Sequence, residues 1–175
     1  MGTFDIIGHE LGHTFLNSFI GSNNFGNASL HEAIGDMLGT YVESVFQDSI
    51  DWKIGDDAND LIRDLKNPKF NCFSQVKNST SEHDRSEPLG HWFYLISEGS
   101  KANNIPALGI LPALNIVLEA LNMLGKDADY ADLREKTLSI AEKKFGRCSD
   151  QAIAIGKAWA LICAGDKYVL DVPVF

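Results

Sequence analysis

The segment DIIGHELGHTF near the start of the chain constrains the fold most, because it sets ionisable side chains into an apolar helical pattern. His9 and His13 stand four residues apart, so a helix brings their Cβ atoms to about 5–6 Å from each other on one face. The residues around them are apolar (Ile6, Ile7, Leu11, Phe15). Ionisable groups near a core are costly without partners, so the fold has to supply partners for this helix.

The rest of the chain also has the pattern of helices joined by polar loops. Further helices are predicted by apolar periodicity and by capping residues such as Ser86 and Ser149. Residues 48–73 form an irregular acidic stretch with one short helical piece predicted at 59–66, and residues 74–84 form a polar loop. The predicted long helices are residues 3–19, 30–46, 86–98, 111–124, 130–145 and 149–164. With no convincing strand hairpin, the sequence predicts one mainly α domain over residues 1–175.

Composition excludes some classes of function. The chain has 175 residues, of which 45% are hydrophobic, enough for one core. Its net charge of −9 argues against a nucleic-acid groove, which needs clustered Lys and Arg. No apolar run approaches the ~20 residues of a membrane span. A leader for export, if the protein has one, is expected outside this chain.

The cysteines do not indicate a redox compartment. Cys72, Cys148 and Cys163 are an odd number, which cannot form a closed disulfide framework. Cys148 and Cys163 flank one predicted helix, and a straight helix of that length would separate them by roughly 22 Å, too far for a disulfide.

The two histidines fit a zinc site. Imidazoles four apart on a helix can both reach one zinc ion at about 2.0–2.1 Å, and Glu10 then lies where it can reach the water that zinc binds. A third ligand is predicted at Glu32 in LHEAIGDMLG, and Asp36 is suited to accept the second N–H of a ligand histidine. The glycine-rich turn at 21–26 makes an antiparallel helix pair plausible. The competing interpretation is ordinary surface histidines beside a solvated acidic helix face.

Several segments together resemble the thermolysin family of metallopeptidases. DIIGHELGHTF resembles its active-site helix, and HEAIGDMLGTYVE resembles its second zinc helix. The similarity continues through DWKIGDD, residues 61–68, HWFYLISEGS and residues 109–165. It covers the whole chain, but only the C-terminal α-helical, bundle-like subdomain of the family. The fold implied is therefore that helical subdomain.

The resemblance implies zinc-dependent endopeptidase chemistry. His9, His13 and Glu32 would bind zinc, with Asp36 behind them, and Glu10 would be the general base that activates the zinc-bound water. Zinc also polarises the scissile carbonyl.

Two further residues gain roles from the family alone. His83 matches the second catalytic histidine, which stabilises the oxyanion, and Arg63 matches the arginine that binds a substrate carbonyl and helps to orient Asp36. A calcium site is also implied, because hard cations bind several oxygen ligands in irregular acidic loops. Its predicted ligands are Asp5, Glu43, Asp51 and Asp56.

The sequence departs from the family pattern in several places. Eighteen residues separate His13 from Glu32, one fewer than in thermolysin, and this spacing also occurs in zinc aminopeptidases. His31 replaces an Asn, and Asn78 replaces the Asp that orients the catalytic histidine, a role that Glu82 is a candidate to fill. The loop before Glu32 contains no Tyr to act as oxyanion donor; the residues there are Asn23, Asn24 and Phe25.

The family's β-rich N-terminal half, which positions substrate, is absent from this chain and is an expected partner besides a peptide or protein substrate. The resemblance implies secretion. One alternative is a zinc-binding, non-hydrolytic module that binds peptides or proteins. The others are an aminopeptidase-like enzyme, for which no amine-binding motif is visible, and a helical scaffold with chance histidines.

Overall fold

Two long antiparallel helices form the part of the fold that positions the predicted site. Helix α1 spans Phe4–Ile20 and helix α2 spans Ala28–Gln47. The computed structural model describes residues 3–21, 27–58, 61–166 and 168. The predicted turn with Asn23, Asn24 and Phe25 therefore lies outside the described residues.

Glycines allow α1 and α2 to approach each other closely. Gly8 faces Gly39, and a Cβ added to Gly8 would lie 2.9 Å from the Gly39 Cα. Gly35 faces His9, and a Cβ added there would lie 2.9 Å from the His9 Nδ1. Real Cβ atoms do not tolerate such contacts, so larger residues would push the helices apart and separate the side chains of the site.

The remaining helices build the core around one central element, α4 (Glu82–Glu98). This helix packs against α2, α5 (Ile110–Leu121) and α7 (Asp150–Leu161), and its Trp92 ring lies 4.7 Å from the Trp159 ring of α7. Trp92, Phe93 and Trp159 are fully buried. The mainly α prediction is confirmed. The helices after α2 are α3 (Phe73–Val76), α4 (Glu82–Glu98), α5 (Ile110–Leu121), α6 (Tyr130–Phe145) and α7 (Asp150–Leu161).

The predicted start of α4 was one turn too late. Ser81, not Ser86, is the N-cap, and its hydroxyl accepts a hydrogen bond from the Asp84 N–H at 3.2 Å. Ser86 is buried inside the helix and donates to the carbonyl of His83. Pro88 consequently stands in the helix interior and not in its first turn. This earlier start makes His83 a helical residue instead of a loop residue.

The short helix predicted at residues 59–66 was wrong where the structure describes that segment. Strand β1 (Lys53–Ile54) pairs antiparallel with strand β2 (Arg63–Asp64), and a 3-10 turn occupies Asp56–Ala58. The buried Leu65 donates its N–H to the carbonyl of Trp52 at 2.7 Å. Tertiary pairing thus outweighs the local helical pattern, and it holds Arg63 in an extended backbone.

A disulfide joins Cys72, at the start of α3, to Cys163, just after α7, across 91 residues of sequence. A backbone hydrogen bond of 2.8 Å from Phe73 to Ile162 runs beside it. The odd cysteine is the exposed Cys148. Among the helices that the structure describes, none is both long enough and apolar enough to cross a membrane.

Candidate metal centre

The α1–α2 pair brings the three predicted zinc ligands together. The Nε2 atoms of His9 and His13 lie 3.0 Å apart. Carboxylate oxygens of Glu32 lie 3.5 Å from the His9 Nε2 and 3.4 Å from the His13 Nε2. Within the described part of the chain, this is the one group of three or more His, Cys, Asp or Glu side chains whose ligand atoms all lie within 4.8 Å of one another.

These spacings fit a tetrahedral zinc site. Two ligand atoms at about 2.1 Å from one ion, in tetrahedral geometry, are separated by about 3.4 Å. The separation of 3.0 Å between the two histidine nitrogens, and those of 3.5 and 3.4 Å to the Oε2 and Oε1 of Glu32, lie close to that value. Two imidazoles and one carboxylate are also a donor set that catalytic zinc uses. The residues present therefore fit the ion.

A buried acid–base pair fixes the orientation of His9. The Nδ1 of His9 donates to the Asp36 Oδ1 at 2.8 Å, which leaves the lone pair of Nε2 facing His13 and Glu32. Asp36 in turn accepts two hydrogen bonds from Arg63, of 2.5 and 2.6 Å. The side chains of Asp36 and Arg63 are 3% and 9% exposed, so the pair is almost dry.

The charges around His9 affect its protonation and that of its neighbours. Burial lowers the pKa of His9, but hydrogen bonds to Asp36 and Glu32 raise it by more, to about 9. Burial likewise raises the pKa of Glu32, and the histidines around it lower it by more. In Arg63, burial lowers the pKa and the bonds to Asp36 raise it by more, so the guanidinium stays charged.

The two predicted catalytic residues are both exposed to solvent. Glu10 is exposed in α1, directly after His9. His83, in the first turn of α4, is 56% exposed, and its Nε2 lies 3.1 Å from the Glu32 Oε2. His13 is also partly open, at 24%. His9 and Glu32 are thus buried, whereas His13 and His83 are accessible to solvent. A site that admits substrate needs such an accessible position.

The residues that depart from the family pattern have different environments. His31 is buried, its Nε2 donates to the Gly21 carbonyl at 3.0 Å, and its ring stacks on His13 at 5.8 Å. It therefore links α2 to the end of α1 and supports a ligand ring, which the sequence did not indicate. In the described residues, no hydrogen bond joins His83 to Asn78 or Glu82.

The predicted calcium ligands form an acidic cluster in which Asp5, Asp51 and Asp56 act electrostatically on Glu43. Asp5 is buried and accepts the Gly55 N–H at 2.6 Å. Glu43 is 1% exposed, and neither of its oxygens has a hydrogen-bond partner among the described residues. Asp51 and Asp56 are partly buried nearby. The two Glu43 oxygens without partners suit a hard cation, but among the described residues no three of these acids bring their ligand atoms within 4.8 Å of one another.

The sequence prediction missed one acid of this cluster, Asp57, which also repels Glu43. Its signal was present in the segment DWKIGDD, where it directly follows Asp56. Lys53 lies 3.4 Å from Asp56 and is the cation that stands beside the cluster.

The Glu43 carboxyl leads to a pH prediction. Burial, followed by the charges of Asp5, Asp57, Asp51 and Asp56, raises its pKa from 4.5 to about 7. A raised pKa means that the folded chain holds the proton more tightly, so this contribution to stability is complete below about pH 4.5 and lost as the pH rises through about 7. We expect Glu43→Gln to gain about 3 kcal/mol relative to the wild type between pH 4.5 and 8 in metal-free protein.

Urea unfolding at a series of pH values measures this difference. The exposed Glu135→Gln serves as control and should follow the wild type. Calcium at pH 8 should stabilise the wild type and not Glu43→Gln. An unchanged pH slope in Glu43→Gln would contradict the assignment.

Comparison with known proteins agrees with this geometry. The sequence model of the family described as the thermolysin metallopeptidase α-helical domain matches residues 24–163, which include Glu32, Asp36, Arg63 and His83. A transglutaminase-activating metalloprotease of Streptomyces mobaraensis is 29% identical over 98% of this chain. A bacillolysin of Bacillus cereus is 31% identical over 92% of it, and a thermolysin of Bacillus caldolyticus is 25% identical over 90%.

The chain spans about a third or less of each relative: 27% of the Streptomyces protein and 32% of the other two. The family match nevertheless covers most of this chain, and the helices that the structure describes are those of an α-helical domain. The chain therefore belongs to the thermolysin metallopeptidase family, of which it represents the α-helical domain.

Proposed function

We propose that this chain carries the metal centre of a zinc-dependent endopeptidase that hydrolyses peptide bonds. The observation that supports the proposal most is the donor set of His9, His13 and Glu32, with separations of 3.0–3.5 Å that suit tetrahedral zinc. A zinc ion held there would act as a Lewis acid toward water and the scissile carbonyl.

The residues around the donor set divide the remaining work. Glu10, exposed beside the ligands, accepts a proton from the attacking water as general base. His83 donates a hydrogen bond to the oxygen on which negative charge develops. Arg63 holds Asp36 through two hydrogen bonds and binds a substrate carbonyl. Asp36 keeps the Nε2 of His9 free for the metal.

A β-rich N-terminal half is proposed as the structural partner. One side of α1 is apolar and open: Phe4, Ile7, Leu11 and Phe15 are 42–65% exposed. Phe46 of α2, 64% exposed, stacks on Phe4 at 4.3 Å and extends this surface. Contiguous apolar area of this kind is typical of a surface that another domain covers.

Calcium in the acidic cluster and an extracellular location complete the proposal. Calcium would neutralise the repulsion around Glu43. The disulfide between Cys72 and Cys163 supports an oxidising compartment, because disulfides persist mainly outside the cytosol.

The test is cleavage of an internally quenched peptide by protein loaded with zinc and calcium. We expect the wild type to cleave it, Glu10→Gln to lose cleavage while it still binds one zinc per chain, and Glu135→Gln to match the wild type. Loss of a general base typically costs about 10²–10⁴-fold in rate. Stoichiometric zinc without cleavage by any variant would favour the alternative, a non-hydrolytic peptide-binding module or a half that is inactive without its partner domain.

A further inference from the structure

A cavity lies away from the metal ligands, between α3, the starts of α2, α4 and α6, and the end of α7. Its volume is about 430 Å³. Ser29 and Arg85 line it, whereas none of His9, His13 or Glu32 does. The cavity is therefore a separate site, and its ligand chemistry is independent of the proposed hydrolysis.

Positive charge is concentrated in this cavity, although the chain as a whole carries a net charge of −9. Lys77, Arg85 and Arg134 line it, with Asp129 as the acid among the lining residues. Asp129 is already engaged, because its carboxylate accepts the N–H groups of Ala131 and Asp132 as the N-cap of α6. The cavity thus presents more cationic donors than acidic acceptors.

Arg134 has hydrogen-bonding capacity to spare. Its Nε–H is buried and has no hydrogen-bond partner among the described residues. Among the described residues, Arg134 makes one hydrogen bond: its Nη2 donates to the carbonyl of Asp166 over a long distance of 3.4 Å. Gly165 packs directly on the guanidinium, and a Cβ at Gly165 would collide with it. A buried guanidinium N–H without an acceptor is costly, and an oxyanion is the acceptor that its planar fork fits best.

The wall beside these cations is aromatic and firmly held. The Phe73 and Tyr130 rings lie 4.9 Å apart and line the cavity. The Tyr130 hydroxyl donates to the backbone carbonyl of Arg85, so the ring contributes its apolar face. The disulfide between Cys72 and Cys163 and the backbone hydrogen bond from Phe73 to Ile162 tie this wall to the end of α7.

We infer that this cavity binds a small oxyanion, a carboxylate or a phosphate, carried on an apolar or aromatic group. Arg134 holds the oxyanion with Lys77 as a second cation, while the Phe73–Tyr130 wall receives the apolar part. This combination of one apolar surface with a few convergent polar groups is what small-molecule sites have in common.

The experiment is calorimetric titration of the metal-free full chain with phenylacetate and with phenyl phosphate. We expect saturable binding of one molecule per chain, and the tighter of the two identifies carboxylate or phosphate as the preferred anion. Arg134→Gln should weaken binding at least tenfold, since a charge-assisted hydrogen bond is lost. Lys143→Gln, an exposed change on the same helix, should stay within about twofold of the wild type.

Benzylamine, which has a similar ring and the opposite charge, should not bind. If Arg134→Gln does not fold, the exposed Lys77→Gln replaces it and should weaken binding at least threefold. The inference is overturned by absence of saturable binding, by equal binding of benzylamine, or by wild-type affinity in the folded variant.

Discussion

Replacement of Asp36 by Ala is expected to cost about 3–5 kcal/mol of stability in metal-free protein and to weaken zinc binding about 10–100-fold. The first effect arises because Arg63, only 9% exposed, would keep its charge while losing both hydrogen bonds to Asp36. The second arises because the His9 Nδ1 would lose its acceptor, so Nε2 would no longer be held toward the other ligands.

Two measurements separate these effects. Urea unfolding of metal-free protein gives the stability, and competition with a chromophoric chelator gives the zinc affinity. Glu119→Ala breaks the exposed ion pair with Lys144 and should cost less than about 1 kcal/mol, without change in zinc affinity.

A double replacement, Asp36→Leu with Arg63→Leu, tests the physical reason. Removing both charges relieves the uncompensated cation, so stability should recover toward the wild type. Zinc affinity should stay low, because His9 still lacks its acceptor. If Asp36→Ala keeps zinc affinity within about twofold of the wild type, Asp36 does not orient the ligand and this part of the site is misassigned.

The parts of this site that sequence could predict are those fixed within one helix. The positions of His9, Glu10 and His13 relative to each other follow from helical geometry alone. The approach of Glu32 to them depended on a helix pair, which the glycine-rich turn suggested. The closeness of that approach rests on the facing glycines Gly8 and Gly39, whose effect appears only when both helices are in place.

The errors came from positions where long-range packing decides. Ser81 and Ser86 are both plausible caps, and the burial of Ser86 in the assembled core excludes it from that role. Arg63 lies in a two-residue strand because Leu65 and Trp52 bond across the hairpin. Neither the burial of Ser86 nor the hydrogen bond between Leu65 and Trp52 produces a periodic pattern in the sequence.

The pairing of Cys72 with Cys163 was also beyond the sequence, which contained only three cysteines and no spacing that favours one pair. Because Cys148 and Cys163 flank a helix, their separation argued against a bond between them, and the structure agrees. The pair that forms requires α3 to lie against the end of α7, a contact between segments 91 residues apart.

Reduction of this disulfide is expected to be the second large perturbation. A bond that closes a loop of this length restricts the unfolded chain strongly, and removal of a native disulfide typically costs about 2–5 kcal/mol. For a domain of this size, that corresponds to a fall in melting temperature of roughly 4–20 °C. Cys163 is exposed, so a mild reductant reaches the bond without prior unfolding.

Thermal unfolding of metal-free protein with and without reductant measures this fall in melting temperature. Cys72→Ser should unfold at the melting temperature of the reduced wild type and show no further response to reductant. Cys148→Ser, which removes the exposed free thiol, should behave as the wild type in both conditions. The loss should leave zinc binding nearly intact, because the ligands reside in α1 and α2, whereas the disulfide joins α3 to the end of α7. Equal melting temperatures with and without reductant would mean that the two cysteines are not bonded in the folded protein. The cavity lined by Phe73 and Arg134 would then also lose one of the two bonds that hold Phe73 to the end of α7.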